Sequence, residues 1–289
     1  GRSSMDSFID SSAEVVNFSR GCVQIVAHEP KVLVVGTDAP RAPLDKKRIS
    51  QEISRYWRVS VVEVTGSTQD DLFQLASNNT ALSKTILASE YQSSGRGRLD
   101  RTFTAAPHSA LTFSFYIEPT VDKEEWSFLT LLAGVSVHEA LQKLDPTINV
   151  GVKWPNDLLI NGKKFAGMIA QATNKGIVIG IGINVGMAED ELPVANATSL
   201  AIEGFAELDR NILLATIINH IEINFQMWEL GNSFIAQYRD ASVTIGNEVE
   251  VTLPGGEVIQ STATGISDTG ELLLADGREV TVGDVVHLR

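Results

Sequence analysis

The dipeptide Asn161-Gly162, set between the run Val152 to Ile160 and a second run beginning at Lys164, constrains this chain more than any other feature. Asparagine followed by glycine offers two residues that tolerate positive φ, which the tight turn between antiparallel strands requires. The segment therefore predicts a β-hairpin, and the fold must accommodate an antiparallel pair there. Val59 to Val64, Thr85 to Tyr91 and Ile177 to Val185 also read as strands. Leu111, Phe113, Phe115 and Ile117 alternate with Thr112, Ser114 and Tyr116, predicting a strand with one buried face. Helices interrupt these runs. Ser67 is placed to N-cap one, with Asp70 in its first turn. Phe128, Leu131, Leu132 and Val135 have helical spacing, and Asp209 opens a helix with a stripe through Leu214, Ile217, Ile221, Phe225 and Trp228 that Gly231 stops. Hairpins mixed with helices favour an α+β fold, a mixed and largely antiparallel sheet with flanking helices, over a doubly wound one.

The main domain is expected over residues 43–236. Beyond it, short valine- and leucine-rich runs separated by turns at Gly246-Asn247, Pro254-Gly255-Gly256, Asp268-Thr269-Gly270 and Asp276-Gly277 predict a small SH3-like β-barrel over 237–289. Residues 1–42 form an N-terminal extension of unknown role, in which Val23 to Val26 and Val32 to Val35 read as short strands or as part of a flexible segment.

Composition removes several function classes. With 23 Lys and Arg against 36 Asp and Glu the net charge is −13, which disfavours general nucleic-acid binding, and no helix-turn-helix pattern is seen. DNA is therefore not an expected partner. Cys22 is the single cysteine, so no internal disulfide and no cysteine metal site can form. The five histidines are scattered without metal-ligand spacing. The longest apolar run, Gly176 to Met187, is too short for a membrane span. Residues 1–15 carry Asp6, Asp10 and Glu14 and no apolar core, so they do not read as a signal peptide, and a cytoplasmic setting is the default.

Against this acidic background two basic elements stand out. The hairpin brings Lys153 and Lys164 towards one end of the sheet, around Asn156 and Asp157. Lysine as a compact point charge suits a phosphoryl or carboxylate oxygen. Asn156 and Asp157 could supply oxygen to Mg²⁺; equally, Pro155-Asn156-Asp157 is a turn in which Asp157 pairs with a lysine. The second element is Gly95-Arg96-Gly97-Arg98-Leu99-Asp100-Arg101. Its glycines permit close backbone approach and its arginines offer planar donor forks, although a solvated loop bonded to the acidic surface has the same sequence. Asp100 is placed to pair with Arg98 or Arg101 and hold the loop folded. Gly180 and Gly182, inside a strand, leave space for a flat ligand or a crossing element, and Asn184 could read a ring edge. No Walker loop occurs, and no third glycine completes a dinucleotide fingerprint.

Taken together, Glu90-Tyr91-Gln92-Ser93-Ser94-Gly95-Arg96-Gly97-Arg98, Lys153-Trp154-Pro155-Asn156-Asp157, Lys163-Lys164-Phe165-Ala166-Gly167 and Gly180-Ile181-Gly182-Ile183-Asn184 resemble the biotin–protein ligases, as does Gly66-Ser67-Thr68-Gln69. The motifs stand in that family's order, and the resemblance covers about residues 43–289. It implies a catalytic core similar to that of class II aminoacyl-tRNA synthetases, in the monofunctional type without a DNA-binding domain, working as a monomer or weak homodimer. The implied activity is two-step acyl transfer: ATP and Mg²⁺ convert biotin to biotinyl-5′-AMP, and a lysine of a biotin carboxyl carrier domain takes the biotinyl group. By the same resemblance Lys164, Arg98 and Lys153 are catalytic. Ser67, Thr68, Gln69, Gln92, Arg96, Gly97, Arg98, Lys164, Gly167, Gly180 and Gly182 meet biotin. Arg96, Arg98, Arg101, Phe103, Lys153, Asn156 and Asn184 meet ATP, and Asp157 is the candidate magnesium ligand.

Three positions depart from the family pattern. Asp100 stands where a glycine is usual, Phe103 where tryptophan is common and Gln69 where asparagine is common. Rival readings are a lipoate–protein ligase or octanoyltransferase, which shares the core fold, a biotin-sensing repressor, and a module that sequesters biotin without turnover.

Overall fold

The structure, a computed structural model, describes residues 16–18, 21–23, 41–98 and 101–288. The first elements, β1 (Val16–Phe18) and β2 (Gly21–Val23), form a two-stranded antiparallel ladder of their own. The strands expected at Val23 to Val26 and Val32 to Val35 lie largely outside the described residues.

The main body runs α1 (Lys46–Glu52), β3 (Arg58–Thr65), α2 (Thr68–Ser77), β4 (Thr85–Gln92), β5 (Ala110–Ile117) and α3 (Leu129–Leu144). It continues through β6 (Val150–Lys153), β7 (Asp157–Ile160), β8 (Lys163–Ala172), β9 (Ile177–Asn184), α4 (Arg210–Glu229) and α5 (Ile235–Ala241). Seven strands make one sheet in the order β3-β4-β5-β9-β8-β7-β6. Only β3 and β4 are parallel, and α2 is the crossover that such a pair needs. The other pairs are antiparallel, as expected of a largely antiparallel α+β fold.

Asn161 (φ 51°) and Gly162 (φ 75°) make the predicted turn, with Ile160 opposite Lys163. The run Val152 to Ile160 is not one strand, however. The chain turns at residues 154–156, so β6 and β7 become neighbours with Lys153 opposite Asp157, and the hairpin grows into the meander β6-β7-β8. A second correction concerns β5, all eight residues of which are buried. Phe113, Phe115 and Ile117 join the large core beneath α1, α3 and α4; Thr112 and Ser114 face the other way, into a cleft.

Two unequal apolar layers explain that cleft. One sheet face is covered along its length by the large core, into which α4 sends Leu214, Ile217, Ile221, Phe225 and Trp228. On the other face α2 buries Leu72, Leu75 and Ala76 against Val62, Leu87, Tyr116 and Val178. The single short helix covers one end of this face only. The middle of β5, β9 and β8 is left without a helical cover.

The C-terminal sheet has five antiparallel strands, β10 (Glu248–Thr252), β11 (Val258–Ile266), β12 (Leu272–Leu274), β13 (Glu279–Val280) and β14 (Asp284–His287), in the order β13-β12-β11-β10-β14. The boundary expected at residue 237 falls inside α5, and the first barrel strand begins at Glu248. The barrel docks through Trp154, whose indole Nε1 donates to the Gly270 carbonyl at 3.0 Å and whose backbone N–H donates to Thr244 Oγ1 at 3.0 Å.

Candidate active site

The uncovered face holds a cleft of about 450 Å³, within the range of small-molecule sites. Register builds its floor. Thr112 of β5 lies opposite Gly182 of β9, Gly182 opposite Gly167 of β8, and Gly167 opposite Asp157 of β7. In the next row Ser114 faces Gly180 and Gly180 faces Ile169. Glycine is required here because the space is already used. A Cβ on Gly167 would come within 3.0 Å of Lys164 Nζ, and one on Gly182 within 2.8 Å of the Phe103 ring.

At one end of the floor the side chains are polar and mutually held. Ser67 Oγ caps α2 by accepting from Asp70 N–H, as its sequence position predicts. Gln92 Oε1 accepts from Thr68 N–H at 2.8 Å, which leaves the Gln92 amide hydrogens for the cleft. Thr68 Oγ1 and Ser114 Oγ lie 2.9 Å apart. Gln69 accepts from Ser114 at 3.2 Å and donates to Gln171 Oε1 and the Val178 carbonyl at 3.0 and 3.1 Å. Its extra methylene, relative to asparagine, lets it reach across to Gln171 on β8.

The arginine-glycine loop folds over the middle. Gly97 N–H donates to the Arg101 carbonyl at 2.7 Å and Phe103 N–H to the Gly95 carbonyl at 2.8 Å, so residues 101–103 run back against residues 95–97. Asp100, expected to steady the loop, lies outside the described residues. Carboxylates that meet the loop arginines come instead from elsewhere: Arg96 pairs with Asp70 of α2 at 2.7 Å, and Arg101 with Asp284 of β14 at 2.5 Å. Arg98 donates to Asn156 Oδ1 at 3.2 Å and to the Gly283 carbonyl at 3.1 Å. Burial lowers the Arg98 pKa, opposed by Asp284 and Asp157, but a guanidinium keeps its proton in such a setting.

Lys164 and Asp157 form an ion pair at 2.6 Å beside Gly167, so of the two open readings of Asp157 the lysine partner is the one present. Among the described residues no group of three or more His, Cys, Asp or Glu side chains could hold a metal ion. At the far end Asn184 is buried; its Nδ2 donates to the Thr198 carbonyl at 3.0 Å and its Oδ1 has no partner. One of its two amide hydrogens is thereby taken, while its acceptor oxygen stays unengaged. Pro193, Val194 and Ala197 close this end.

Ser67, Thr68, Gln69, Gln92, Arg96, Gly97, Arg98, Arg101, Phe103, Asn156, Asp157, Lys164, Gly167, Gly180, Gly182 and Asn184 all line the cleft. Lys153 does not. It ends β6 on the barrel side, near His287, and burial lowers its pKa, with Asp157 opposing and Lys164 adding to the effect. Among the lining residues that the sequence reading did not name as site residues are Thr112, Ser114, Asp284 and Val194. The alternation along β5 carried the signal for the first two. Nothing local marked the others.

Comparison with known proteins agrees with the geometry. Residues 61–187 match the biotin/lipoate A/B protein ligase family, and residues 244–288 match the biotin protein ligase C-terminal domain. A biotin–[acetyl-CoA-carboxylase] ligase of Mycobacterium tuberculosis is 36% identical, over 87% of this chain and 98% of the relative. The bifunctional ligase/repressor BirA of Bacillus spizizenii is 31% identical, over 73% of this chain and 67% of the relative. Among solved structures, the biotin protein ligase from Aquifex aeolicus in complex with biotin and ATP superposes with a TM-score of 0.70 at 28% identity, covering 80% of this chain and 99% of that one. The cleft, the barrel beside it and the sequence that builds both make this chain a member of the biotin protein ligase family.

Proposed function

We infer that the cleft joins biotin to ATP as biotinyl-5′-AMP and then passes the biotinyl group to a lysine of a biotin carboxyl carrier domain, the activity of the family to which the chain belongs. One observation carries the assignment of parts: four cations, Lys164, Arg96, Arg98 and Arg101, surround a floor cleared of side chains at Gly167, Gly180 and Gly182. Two anions must meet there, and fixed positive charge is what their approach requires.

In the first step a biotin carboxylate oxygen forms a bond to the α-phosphorus of ATP while the bond from that phosphorus to the bridging oxygen breaks, and pyrophosphate leaves. Lys164 exchanges its Asp157 partner for the carboxylate and the reacting phosphate, and Arg98 and Arg101 turn towards the same phosphate oxygens. In the second step a neutral carrier-lysine amine attacks the acyl carbon. The carbon–oxygen bond to AMP breaks, the amine loses a proton and AMP departs. Ser67, Thr68, Gln92 and Ser114 suit the ureido ring at the closed end, with Gln69 as its end wall. The unpartnered Asn184 Oδ1 suits the exocyclic amino group of adenine, a donor at that edge.

Mg²⁺ fits less well as a resident ion. Asp157 is engaged by Lys164 and Asn156 Oδ1 by Arg98, so the oxygens expected to hold it are already taken. The reading gives the ion to the phosphates of the nucleotide, its usual ligands. Lys153, off the cleft wall, acts on phosphate only through the field it adds behind Asp157. The reading also has the chain working as a monomer or weak homodimer, without DNA and in the cytoplasm. A net charge of −13 supports the second of these, and no helix among the described residues is long and apolar enough to cross a membrane.

Biotin-dependent exchange between ATP and labelled pyrophosphate tests substrate and first step together. Exchange is expected with biotin and not with lipoate. The opposite preference would overturn the assignment in favour of a lipoate ligase.

A further inference from the structure

The arginine loop touches three parts of the molecule. Arg96 holds α2 through Asp70, a pair whose side chains are 53% and 41% exposed. Arg98 reaches Asn156 in the meander and the carbonyl of Gly283 in the barrel. Arg101 reaches Asp284, the first residue of β14, and the Asp284 carboxylate is 25% exposed beside the cleft it lines. Two successive barrel residues thus grip two arginines of the loop. The closed end of the loop, where Phe103 N–H meets the Gly95 carbonyl, is anchored to the main body. The barrel is the other support.

We propose that Asp284 is a positioning residue: by pairing with Arg101, the C-terminal barrel latches the arginine loop over the cleft and slows escape of the acyl-adenylate between the two half-reactions. This rests on the function inferred above and deepens it. A mixed anhydride that leaves the cleft is lost to water, so retention between steps has to come from whatever covers the site. Loop opening must break the Arg101–Asp284 pair and the Arg98–Gly283 bond together, because residues 283 and 284 move as one strand end. Asp284 contacts no reacting atom in this scheme. It acts through Arg101.

Release of synthetic biotinyl-5′-AMP, followed after dilution into excess biotin, isolates the latch from ATP chemistry. Asp284→Asn is expected to release it about two- to five-fold faster than the unmodified chain, the range for a partly exposed ion pair. Asp284→Glu should restore slow release. The excess rate should shrink as ionic strength rises, since salt screens the pair and not a packing defect. Unaltered release from Asp284→Asn would overturn the latch. Faster release that the glutamate does not correct, and that salt leaves unchanged, would overturn it as well. Asp284→Glu and the salt dependence carry the test if Asp284→Asn lowers the melting temperature. Failure of the unmodified chain to bind the adenylate or to support exchange with biotin would instead remove the underlying function, so the two failures are distinct.

Discussion

The Lys164 ammonium lies 2.6 Å from Asp157, with its side chain 44% exposed. A group so placed contributes little to stability, since partly exposed ion pairs are typically worth under about 1 kcal/mol. Its value is to the reaction, where the same charge meets phosphate oxygens that gain negative charge. Lys164→Met keeps the aliphatic stem and removes the charge. It is expected to lower biotin-dependent pyrophosphate exchange by about 10²- to 10³-fold, the usual effect of deleting one transition-state donor. The melting temperature should move by no more than a few degrees. Exchange within ten-fold of the unmodified chain would show that Arg98 and Arg101 carry the step. Neighbouring Gly167 leaves room for the lysine to lie flat on the floor, because a Cβ there would stand only 3.0 Å from its ammonium and push it aside.

At the scale of elements, the meander β6-β7-β8 shows what a sequence discloses and what it hides. Asn161-Gly162 announced its turn because positive φ at both positions is a local requirement, and the structure supplies 51° and 75°. The glycines of the floor were legible as gaps in apolar strands, and Ser67 as a cap. The break at residues 154–156 was only half legible: Pro155-Asn156-Asp157 reads as a turn, but the apolar run from Val152 to Ile160 reads across it as one strand. That break decides the fate of Lys153. In one continuous strand residues 153 and 157 would stand about 13 Å apart, whereas across the turn they become cross-strand neighbours and Lys153 ends on the edge strand β6, beside the barrel. Burial there lowers its pKa below the ordinary lysine value, so at neutral pH the folded state bears the cost of an under-solvated charge. Between the folded and unfolded values the unfolded chain binds more protons, and stability rises with pH through that window. Lys153→Met is therefore expected to raise the melting temperature near pH 7, with the gain shrinking as pH approaches 10.5. Melts of both proteins at several pH values check this, and a lowered melting temperature at pH 7 would show that attraction to Asp157 and Asp284 outweighs burial.

For the whole molecule the decisive contact is the seam between barrel and catalytic body, which no local pattern could foretell because its partners lie far apart in the chain. Trp154 reaches Gly270, Val243 N–H donates to the Val152 carbonyl at 2.9 Å, and Arg239 of α5 binds the Ile266 carbonyl and Asp268, each at 2.7 Å. His287 sits in this seam with Nε2 3.3 Å from Thr244 Oγ1. Burial lowers its pKa, and the positive charge of Lys153 lowers it further. The sign follows directly. As pH falls through 6.5 the unfolded chain takes up a proton that the folded seam resists, so stability declines from about pH 6.5 downward until the folded value is passed. Asp145, Glu191 and Asp209, whose pKa values are held below the ordinary carboxylate range by hydrogen bonds and, for the latter two, by arginines, bring their own loss at lower pH. The histidine limb should come first. His287→Gln keeps a polar partner for Thr244 without a titrating charge, and is expected to flatten the fall in melting temperature between pH 7 and 5.5 while leaving the steeper decline below about pH 4.5 in place. Because the seam carries Gly283 and Asp284 to the arginine loop, acid that loosens it should also hasten adenylate release, and the same substitution should suppress that effect. An unchanged slope above pH 5.5 in the glutamine variant would move the origin of the acid limb away from His287.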